Sequence, residues 1–412
     1  MRRNFVPAMI MAVSFLSCGP FAAVNANPGG EAQRPTSESL VVIQELVSQS
    51  SLMMMMIDNR SNGQENVTAG NESYTSAAAT AEVTFGQETF SVPMPIANTM
   101  PNLETKDGTQ DLTILEYGTG GIPYTTKGSY ASNSPESTAK YPWVPTGKLV
   151  WENGASCTAS MIGNGLAVTA AHCVSEYGKN RFLYPGSSLY LEPGRFEDLL
   201  PFGRYPVVRI IVPQAYLDGS DPCDPNSPGV VCENDIAVLL VGPTAVLDRL
   251  PGEILGYYGY GSGYSFVDMP FVMGDLKGAQ IAQMGYPSNL DNGVRMIRTD
   301  SLGLQTNYNN VVIGSLQGAG SSGGPWLVNF GQQMIISDDT VFGSSPNPNI
   351  VIGTTSWGYD NDVNIKIQGA SRFGTNSVFK DLSNIQVLIN QICKNLNDDN
   401  LIQRFCGNRY QP

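Results

Sequence analysis

From Tyr141 onward the chain is a succession of short apolar runs separated by glycine, proline and asparagine. Short runs of this kind, bounded by turn-forming residues, are typical of strands in sandwiches and barrels. About 270 residues is enough for two small barrels that share a core-rich interface. We therefore expect an all-β fold for this part of the chain. The runs span 147–151, 160–168, 205–212, 235–241, 279–286, 311–313, 325–328, 334–336 and 350–357.

The C-terminal part departs from this pattern. Apolar residues recur every three or four positions from Val378 to Ile392, which predicts one amphipathic helix packed on the strands. Asn376 or Ser377 is its candidate N-cap. A bridge between the last two cysteines would tether the end of the helix, so residues 393–412 are expected to form a disulfide-tethered tail.

The first 26 residues have the pattern of a secretory signal peptide. Arg2 and Arg3 precede an apolar stretch over 5–16 that is too short to span a bilayer, and small residues end at Ala26. An alternative is a lipoprotein signal in which Cys18 is acylated, although Phe15 is unlike the leucine usual at that place. We expect an exported protein, extracellular or periplasmic, with no membrane attachment after signal removal.

Residues 27–140 are rich in serine, threonine, asparagine, glycine and alanine, with only scattered strand-like patches such as 81–85. This composition predicts a propeptide or a partly disordered N-terminal region. The formal net charge of the whole chain is −13, which disfavours nucleic acid as a partner because phosphates would be repelled.

Signal removal would leave an even number of cysteines, which suits an oxidising compartment. Nearest-neighbour pairing gives three local bridges, but six cysteines allow fifteen arrangements. Their spacing does not fit a zinc site, so neither a metal nor another cofactor is expected. A calcium loop starting at Asp360 is also disfavoured, because Ile365 and Ser371 replace the glycine and glutamate of that motif. The six cysteines are Cys157, Cys173, Cys223, Cys232, Cys393 and Cys406.

His172 is the only histidine of the chain, so a general base working near neutral pH is expected to be this residue. A serine that attacks a carbonyl needs such a base within reach and a third group that orients the base. Ser322 lies in the glycine-rich segment 320–325, and Asp235 precedes an apolar run. The three residues together are candidates for nucleophile, base and orienting acid.

The pattern Gly320-x-Ser322-x-Gly324 also matches the nucleophile elbow of α/β-hydrolases. In that fold the histidine follows the serine, whereas here the sole histidine precedes both the aspartate and the serine. The order of the residues, together with the strand-rich texture, therefore argues against an α/β-hydrolase.

Four segments resemble the signature stretches of the chymotrypsin/trypsin-like serine endopeptidases, in particular the secreted bacterial branch that includes glutamyl endopeptidase-like enzymes. They are 169–173 around His172, 235–239, 320–325 and 356–358. The resemblance covers about 141–392 and implies two six-stranded antiparallel barrels with the active site between them. It also implies peptide-bond cleavage through an acyl-enzyme.

By this resemblance, His172 is the base, Asp235 the orienting acid and Ser322 the nucleophile. The N–H groups of Gly320 and Ser322 would form the oxyanion hole, and Ser356, Trp357 and Gly358 would bind the substrate backbone. A Cys157–Cys173 bridge would close the loop that carries the base.

Three positions depart from familiar members of the family. Ser321 stands where the animal enzymes carry the aspartate that binds the new N-terminus after activation. Leu316, a candidate specificity residue, stands where basic-residue-specific enzymes carry aspartate, and Thr355 replaces the histidine of the glutamyl-specific branch. The sequence therefore encodes neither the preference for basic residues nor the preference for glutamate through the usual side chain. Lys127 and Lys140 are candidate maturation sites, because Tyr141-Pro142-Trp143 matches a stretch near the family's mature N-terminus.

The expected protein is thus a secreted, monomeric serine endopeptidase acting on polypeptides, made as a precursor. Its expected parts are a signal peptide (1–26), an N-terminal region (27–140), a protease domain (141–392) and a tail (393–412). Two alternatives remain: a catalytically silent homologue that acts as a binding module, and an esterase that uses the same three residues.

Overall fold

The computed structural model describes residues 37–47, 80–85, 88–93, 122–128, 138–224, 231–244, 249–268, 277–331, 347–358 and 366–411. The strands of the first half are β1 (Val41–Glu45), β2 (Thr80–Phe85), β3 (Glu88–Pro93), β4 (Tyr124–Gly128), β5 (Thr146–Trp151), β6 (Ser156–Met161), β7 (Leu166–Thr169), β8 (Ser175–Glu176), β9 (Arg181–Phe182), β10 (Leu189–Pro193), β11 (Tyr205–Pro213) and β12 (Ala237–Val241). Those of the second half are β13 (Gly259–Tyr260), β14 (Val267–Asp268), β15 (Lys277–Gly285), β16 (Ile297–Gln305), β17 (Asn310–Gly314), β18 (Pro325–Val328), β19 (Ile350–Gly358) and β20 (Ile367–Arg372). The helices are α1 (Gln214–Asp218), α2 (Pro251–Leu255), α3 (Asn384–Lys394) and α4 (Asp399–Phe405).

Two closed antiparallel barrels of six strands each form the fold. The first closes in the order β11-β10-β5-β6-β7-β12, because β12 pairs back with β11. The second closes in the order β15-β18-β19-β20-β17-β16, through a pairing between β16 and β15 that extends over eight residues of each strand. The expectation of two six-stranded antiparallel barrels with a C-terminal helix is confirmed.

Segments that precede residue 141 add strands to both barrels. β1 pairs with β11 on the outside of the first barrel, and β4 pairs with β16 of the second. The strand expected at 81–85 is present as β2, which forms a hairpin with β3. The predicted signal peptide, the apolar run 334–336 and the loop beginning at Asp360 lie outside the described residues.

Each barrel is filled by the inward side chains of its strands, and a larger apolar cluster joins the two barrels to helix α3. Leu388 and Ile392 of this helix are fully buried in that cluster. Burial of a leucine or isoleucine side chain contributes about 1.5–3 kcal/mol to folding. The helix therefore stabilises the interface between the barrels.

The start of the C-terminal helix differs from the expectation. Helix α3 begins at Asn384 with Ser383 as N-cap, several residues after the predicted caps. The side-chain oxygen of Asn376 accepts hydrogen bonds from the backbone N–H groups of Val378 and Phe379, both at 3.0 Å. A local side-chain turn of this kind competes with helix formation, which explains the later start.

Three disulfides are formed in the nearest-neighbour arrangement: Cys157–Cys173, Cys223–Cys232 and Cys393–Cys406. The last of these joins the end of α3 to the end of α4, so 393–412 contains a second helix in addition to a tether. Asp398 caps α4 by accepting from the backbone N–H of Leu401 at 3.0 Å. Within the described part of the chain, no helix has the length and apolar character needed to cross a membrane.

Candidate active site

His172 and Asp235 form a hydrogen-bonded pair at the end of the first barrel. His172 lies in a 3-10 turn directly after β7, and Asp235 lies two residues before β12. These strands are antiparallel neighbours, so the residue that follows one and the residue that precedes the other meet at the same end of the sheet. Asp235 Oδ2 lies 2.7 Å from His172 Nδ1, and Asp235 Oδ1 accepts from the His172 backbone N–H at 2.9 Å. The two contacts fix the orientation of the ring.

The carboxylate of Asp235 is almost completely buried, at 1% exposure. Burial alone would raise its pKa, but the charge of His172 and hydrogen bonds from His172 and Ser356 outweigh this effect, so the pKa of Asp235 lies below its usual value. The Ser356 hydroxyl donates to Asp235 Oδ2 at 2.6 Å. Burial lowers the pKa of His172, whereas the Asp235 charge and hydrogen bond raise it by more, so the net pKa lies above 6.5.

Ser322 lies in a tight turn that only glycine can form at two places. Gly320 has φ +92°, and a Cβ there would lie 2.6 Å from the Tyr286 carbonyl oxygen. Gly323 has φ +77°, and a Cβ there would lie 2.0 Å from the Thr169 hydroxyl. Both positions combine left-handed backbone with a close approach, so any larger residue would displace the loop.

Thr158 holds this loop against the first barrel. Its backbone N–H donates to the Ser322 carbonyl at 2.8 Å, and its hydroxyl donates to the Gly320 carbonyl at 2.8 Å. The preceding residue, Cys157, is bonded to Cys173, which follows His172 in the chain. One disulfide therefore connects the strand that holds Ser322 to the turn that carries His172.

His172, Asp235 and Ser322 line one cavity of about 560 Å³. Ser356, Trp357 and Gly358 at the end of β19 line it as well, so the three candidate catalytic residues and the proposed substrate strand border the same cavity. Ser356 sits at a bulge in the pairing of β19 with β20, which directs a strand side chain toward the buried acid.

Gly320 and Leu316 do not belong to the described lining of the cavity. Among the described residues that line the cavity, Gly318 and Ala319 are present but Gly320 and Leu316 are not. The Leu316 carbonyl accepts a hydrogen bond from Asn289 Nδ2 at 2.8 Å, and this contact is exposed to solvent. The proposed role of Leu316 in substrate specificity stays a prediction.

A network of buried amides and hydroxyls lies beside Ser322, and sequence reasoning missed it. Gln283 is fully buried; its Nε2 donates to the Thr355 hydroxyl at 3.0 Å and to Gln368 Oε1 at 2.5 Å. Its Oε1 accepts from the Ser315 hydroxyl at 2.8 Å. Glutamines within strands belong to no motif. The available signal was a polar residue, flanked by Ala282 and Met284, inside the largely apolar run 279–286.

The Ser321 hydroxyl decides which groups of this network donate and which accept hydrogen bonds. The Ser321 hydroxyl donates to the Gly318 carbonyl at 2.7 Å, so it accepts from Gln368 Nε2, 3.0 Å away. The Thr355 hydroxyl accepts from Gln283 and Trp326 and lies 3.3 Å from a carbonyl that it can donate to. An amide nitrogen has two hydrogens. Gln368 and Thr355 both line the cavity, and among the described residues the Ser321 hydroxyl is the one acceptor found for the Gln368 amide nitrogen.

The clusters of potential metal ligands in the described residues consist mainly of disulfide cysteines. Cys157 and Cys173 lie near His172, and Cys223 and Cys232 lie near Asp221. A metal binds cysteine as the thiolate, and these sulfurs are oxidised to disulfides. The two clusters are therefore poor metal sites.

No protein-family profile matches the sequence, and no curated protein is significantly similar to it. Among solved structures, the chain is similar to the protease Anisep from Arthrobacter nicotinovorans, with 16% identity over 61% of this chain and 94% of that chain and a TM-score of 0.43. It is also similar to the thermostable serine protease AL20 from an extremophilic microorganism (16% identity, 56% and 92% coverage, TM-score 0.41). A third similar structure is a Glu endopeptidase in complex with MPD (17% identity, 60% and 90% coverage, TM-score 0.40). The likeness is one of fold at low identity.

Proposed function

We propose that this chain is a secreted serine endopeptidase that hydrolyses peptide bonds through an acyl-enzyme on Ser322. The observation that carries the proposal is the His172–Asp235 pair, 2.7 Å between Nδ1 and Oδ2, in the same cavity as Ser322. A hydroxyl, an imidazole and a buried carboxylate in one cleft are the parts that acyl transfer requires.

The roles follow from the hydrogen bonds. Asp235 occupies Nδ1 of His172, which leaves Nε2 as the basic nitrogen. Nε2 takes the proton of the Ser322 hydroxyl as its oxygen attacks the substrate carbonyl, and the imidazolium then gives that proton to the leaving amine. Water attacks the resulting ester by the same proton transfers in the second half of the reaction. Asp235 stays ionised and stabilises the imidazolium.

The oxyanion formed by the attack needs donors that are fixed in advance. We propose the N–H groups of Gly320 and Ser322 for this role, because Thr158 holds the carbonyls of both residues. Loss of one such donor costs about 3–4 kcal/mol of transition-state stabilisation.

We further propose that the cavity wall formed by Gln368 and Thr355 receives the side chain that precedes the scissile bond. This wall offers an amide hydrogen and no charge, and a charged side chain loses several kcal/mol of hydration when it is buried without a partner. Cleavage should therefore favour uncharged residues, with polar acceptors such as glutamine and asparagine preferred.

Export is the second part of the proposal. Three disulfides require an oxidising compartment to form and persist. The basic and apolar pattern of residues 1–26 provides the route.

The test is digestion of a denatured proteome with the processed protein, followed by mass spectrometry of the new termini. We expect cleavage after uncharged residues, complete loss of cleavage in Ser322→Ala, and retained cleavage in Ser288→Ala, which removes an exposed hydroxyl from a neighbouring loop. Absence of new termini from wild-type protein with a free mature N-terminus would overturn the proposal and favour the binding module. Activity on simple esters alone would favour the esterase.

A further inference from the structure

A second buried carboxylate lies behind the pair of His172 and Asp235. Asp221 is 3% exposed, and both of its oxygens accept hydrogen bonds from Asn234, the residue that directly precedes Asp235. Oδ2 accepts from the Asn234 backbone N–H at 2.8 Å, and Oδ1 accepts from Asn234 Nδ2 at 2.6 Å. The reaction described above makes no use of Asp221.

Asn234 is fully buried, and its polar groups have partners on several sides. Its side-chain oxygen accepts from Asn376 Nδ2 at 2.7 Å and from Asn384 Nδ2 at 3.1 Å, and its carbonyl accepts from the Ile236 backbone N–H at 2.8 Å. Asp221 is the acceptor for the backbone N–H and for one amide hydrogen of Asn234. The conformation of the residue before Asp235 therefore depends on this carboxylate.

The segment that carries Asp221 is itself anchored. The Cys223–Cys232 disulfide closes the loop between Asp221 and Asn234. The Cys232 carbonyl accepts from Asn310 Nδ2 at 3.0 Å and from the Ser371 hydroxyl at 3.1 Å, both on strands of the second barrel. Cys232, at the described end of this segment, is thus held against the second barrel.

We propose that Asp221 is a positioning residue for the catalytic acid, acting through Asn234. By fixing the backbone of Asn234, it keeps the Asp235 carboxylate aligned with Nδ1 of His172. The proposal rests on the proposed function, since it assigns Asp221 to the positioning of Asp235 in the proposed triad.

The first variant is Asp221→Asn. Asn234 presents two N–H donors to residue 221, and an asparagine there can accept only one of them while its own NH₂ faces the other. We expect kcat to fall about ten-fold or more while KM changes by less than about two-fold, because the substrate cavity is untouched and the alignment of the base is lost. Asp218→Asn is the matched control, since it removes an exposed carboxylate of the same segment and should leave kcat unchanged.

The swap Asp221→Asn with Asn234→Asp restores every hydrogen bond. The asparagine at 221 can accept from the backbone N–H of residue 234 and donate to its new carboxylate, which still accepts from Asn376 and Asn384. We expect the swap to recover kcat to within about five-fold of wild type. If Asp221 served overall stability alone, a folded Asp221→Asn protein would keep the wild-type kcat, and the swap would have no loss of kcat to recover.

The sole histidine supplies a readout that does not depend on activity. The proton between His172 Nδ1 and Asp235 gives one NMR resonance, which should shift or broaden in Asp221→Asn and return in the swap. A folded Asp221→Asn with wild-type kcat and an unchanged resonance overturns the proposal. If the single variant does not fold, the swap decides: recovered kcat supports the proposal, and a folded but impaired swap, or failure of both to fold, overturns it. Wild-type protein without peptidase activity but with a resonance that responds in this way would instead contradict the proposed function.

Discussion

At the scale of single residues, the candidate catalytic residues and their loop are held by neighbouring side chains. Thr158 holds the carbonyls of Gly320 and Ser322, and Ser356 donates to the buried acid. Each contact removes freedom from a reacting group before substrate arrives, which is how such a site lowers the barrier. Replacement of these residues should therefore lower activity without changing the three reacting groups.

His172 sets the pH dependence of the reaction. In the proposed mechanism the neutral imidazole is the base. Burial lowers its pKa, but the charge of Asp235 and the hydrogen bond to Asp235 together outweigh burial and hold the pKa of His172 above 6.5. We expect kcat/KM to rise with pH through one ionisation at or above this value and then to level off. A profile measured from about pH 5 to 9 checks this, and a flat profile would contradict the role of His172.

Asp235→Asn should lower kcat by about 10⁴, since the ring of His172 loses its orientation and its counter-charge.

Gln368 should control which side chain fits beside Ser322. In Gln368→Glu, a carboxylate would replace the amide of this wall, and arginine or lysine before the scissile bond should gain at least about ten-fold in kcat/KM relative to glutamine. Paired peptide substrates that differ at that one position provide the measurement. Gln280→Glu, on an exposed part of β15, is the matched control and should leave the ratio unchanged. An unchanged ratio in Gln368→Glu as well would exclude Gln368 from the specificity wall.

At the scale of elements, β1 joins a segment before residue 141 to the first barrel. Arg209 of β11 is 1% exposed and its Nη2 lies 2.9 Å from Glu45 Oε1 of β1, while Nη1 donates to the Asn395 carbonyl. Burial lowers the pKa of Arg209, which the charge and hydrogen bond of Glu45 partly offset. The pair therefore links β1, β11 and the end of α3.

Loss of this pair should destabilise the protein. We expect Glu45→Gln to reduce the free energy of unfolding by about 1–2 kcal/mol, a moderate value because Glu45 is half exposed. Urea unfolding of the inactive Ser322→Ala protein gives the measurement without self-digestion. Asp268→Asn removes an exposed ion pair with Lys277 and should change stability by less than about 0.5 kcal/mol. Equal effects of the two substitutions would contradict the structural role of β1.

The apolar runs after residue 141 predicted the all-β class because inward side chains of barrel strands must be apolar. The pairing of His172 with Asp235 beside the cavity that Ser322 lines could be predicted, because the glycines around Ser322 and the single histidine leave few chemical alternatives. The start of α3 could not, since the turn at Asn376 competes with helix formation in a way that periodicity does not record. Gln283 was missed because its partner Gln368 is distant in sequence and only the barrel pairing brings the two together. No role could be assigned to Asp221, because the sequence does not show that its side chain is buried against Asn234.

At the scale of the whole molecule, the pair of His172 and Asp235 links folding to pH. The pKa of Asp235 is lowered on folding, so its contribution to stability is present above its usual value of 3.8 and is lost as pH falls through the folded pKa. The pKa of His172 is raised on folding, so its contribution is present below 6.5 and is lost as pH rises through the folded pKa. The pair of His172 and Asp235 should stabilise the fold most between pH 3.8 and pH 6.5, the ordinary pKa values of the two groups.

This linkage can be measured by thermal unfolding of the Ser322→Ala protein with and without Asp235→Asn. We expect the difference in Tm to be largest near pH 5 and to shrink as pH rises through the folded pKa of His172, because the imidazole is then neutral in both states. A difference that grows with increasing pH would contradict the charges assigned to the pair.

The central claim is that a hydroxyl, an imidazole and a carboxylate far apart in the sequence act as one unit at Ser322. Labelling of the processed protein with a fluorophosphonate, followed by intact mass and peptide mapping, tests it most directly. We predict a single adduct on Ser322, formed at least about 10³-fold more slowly in His172→Ala and absent in Ser322→Ala. No adduct on folded, processed protein, or equally fast labelling without His172, would contradict the account.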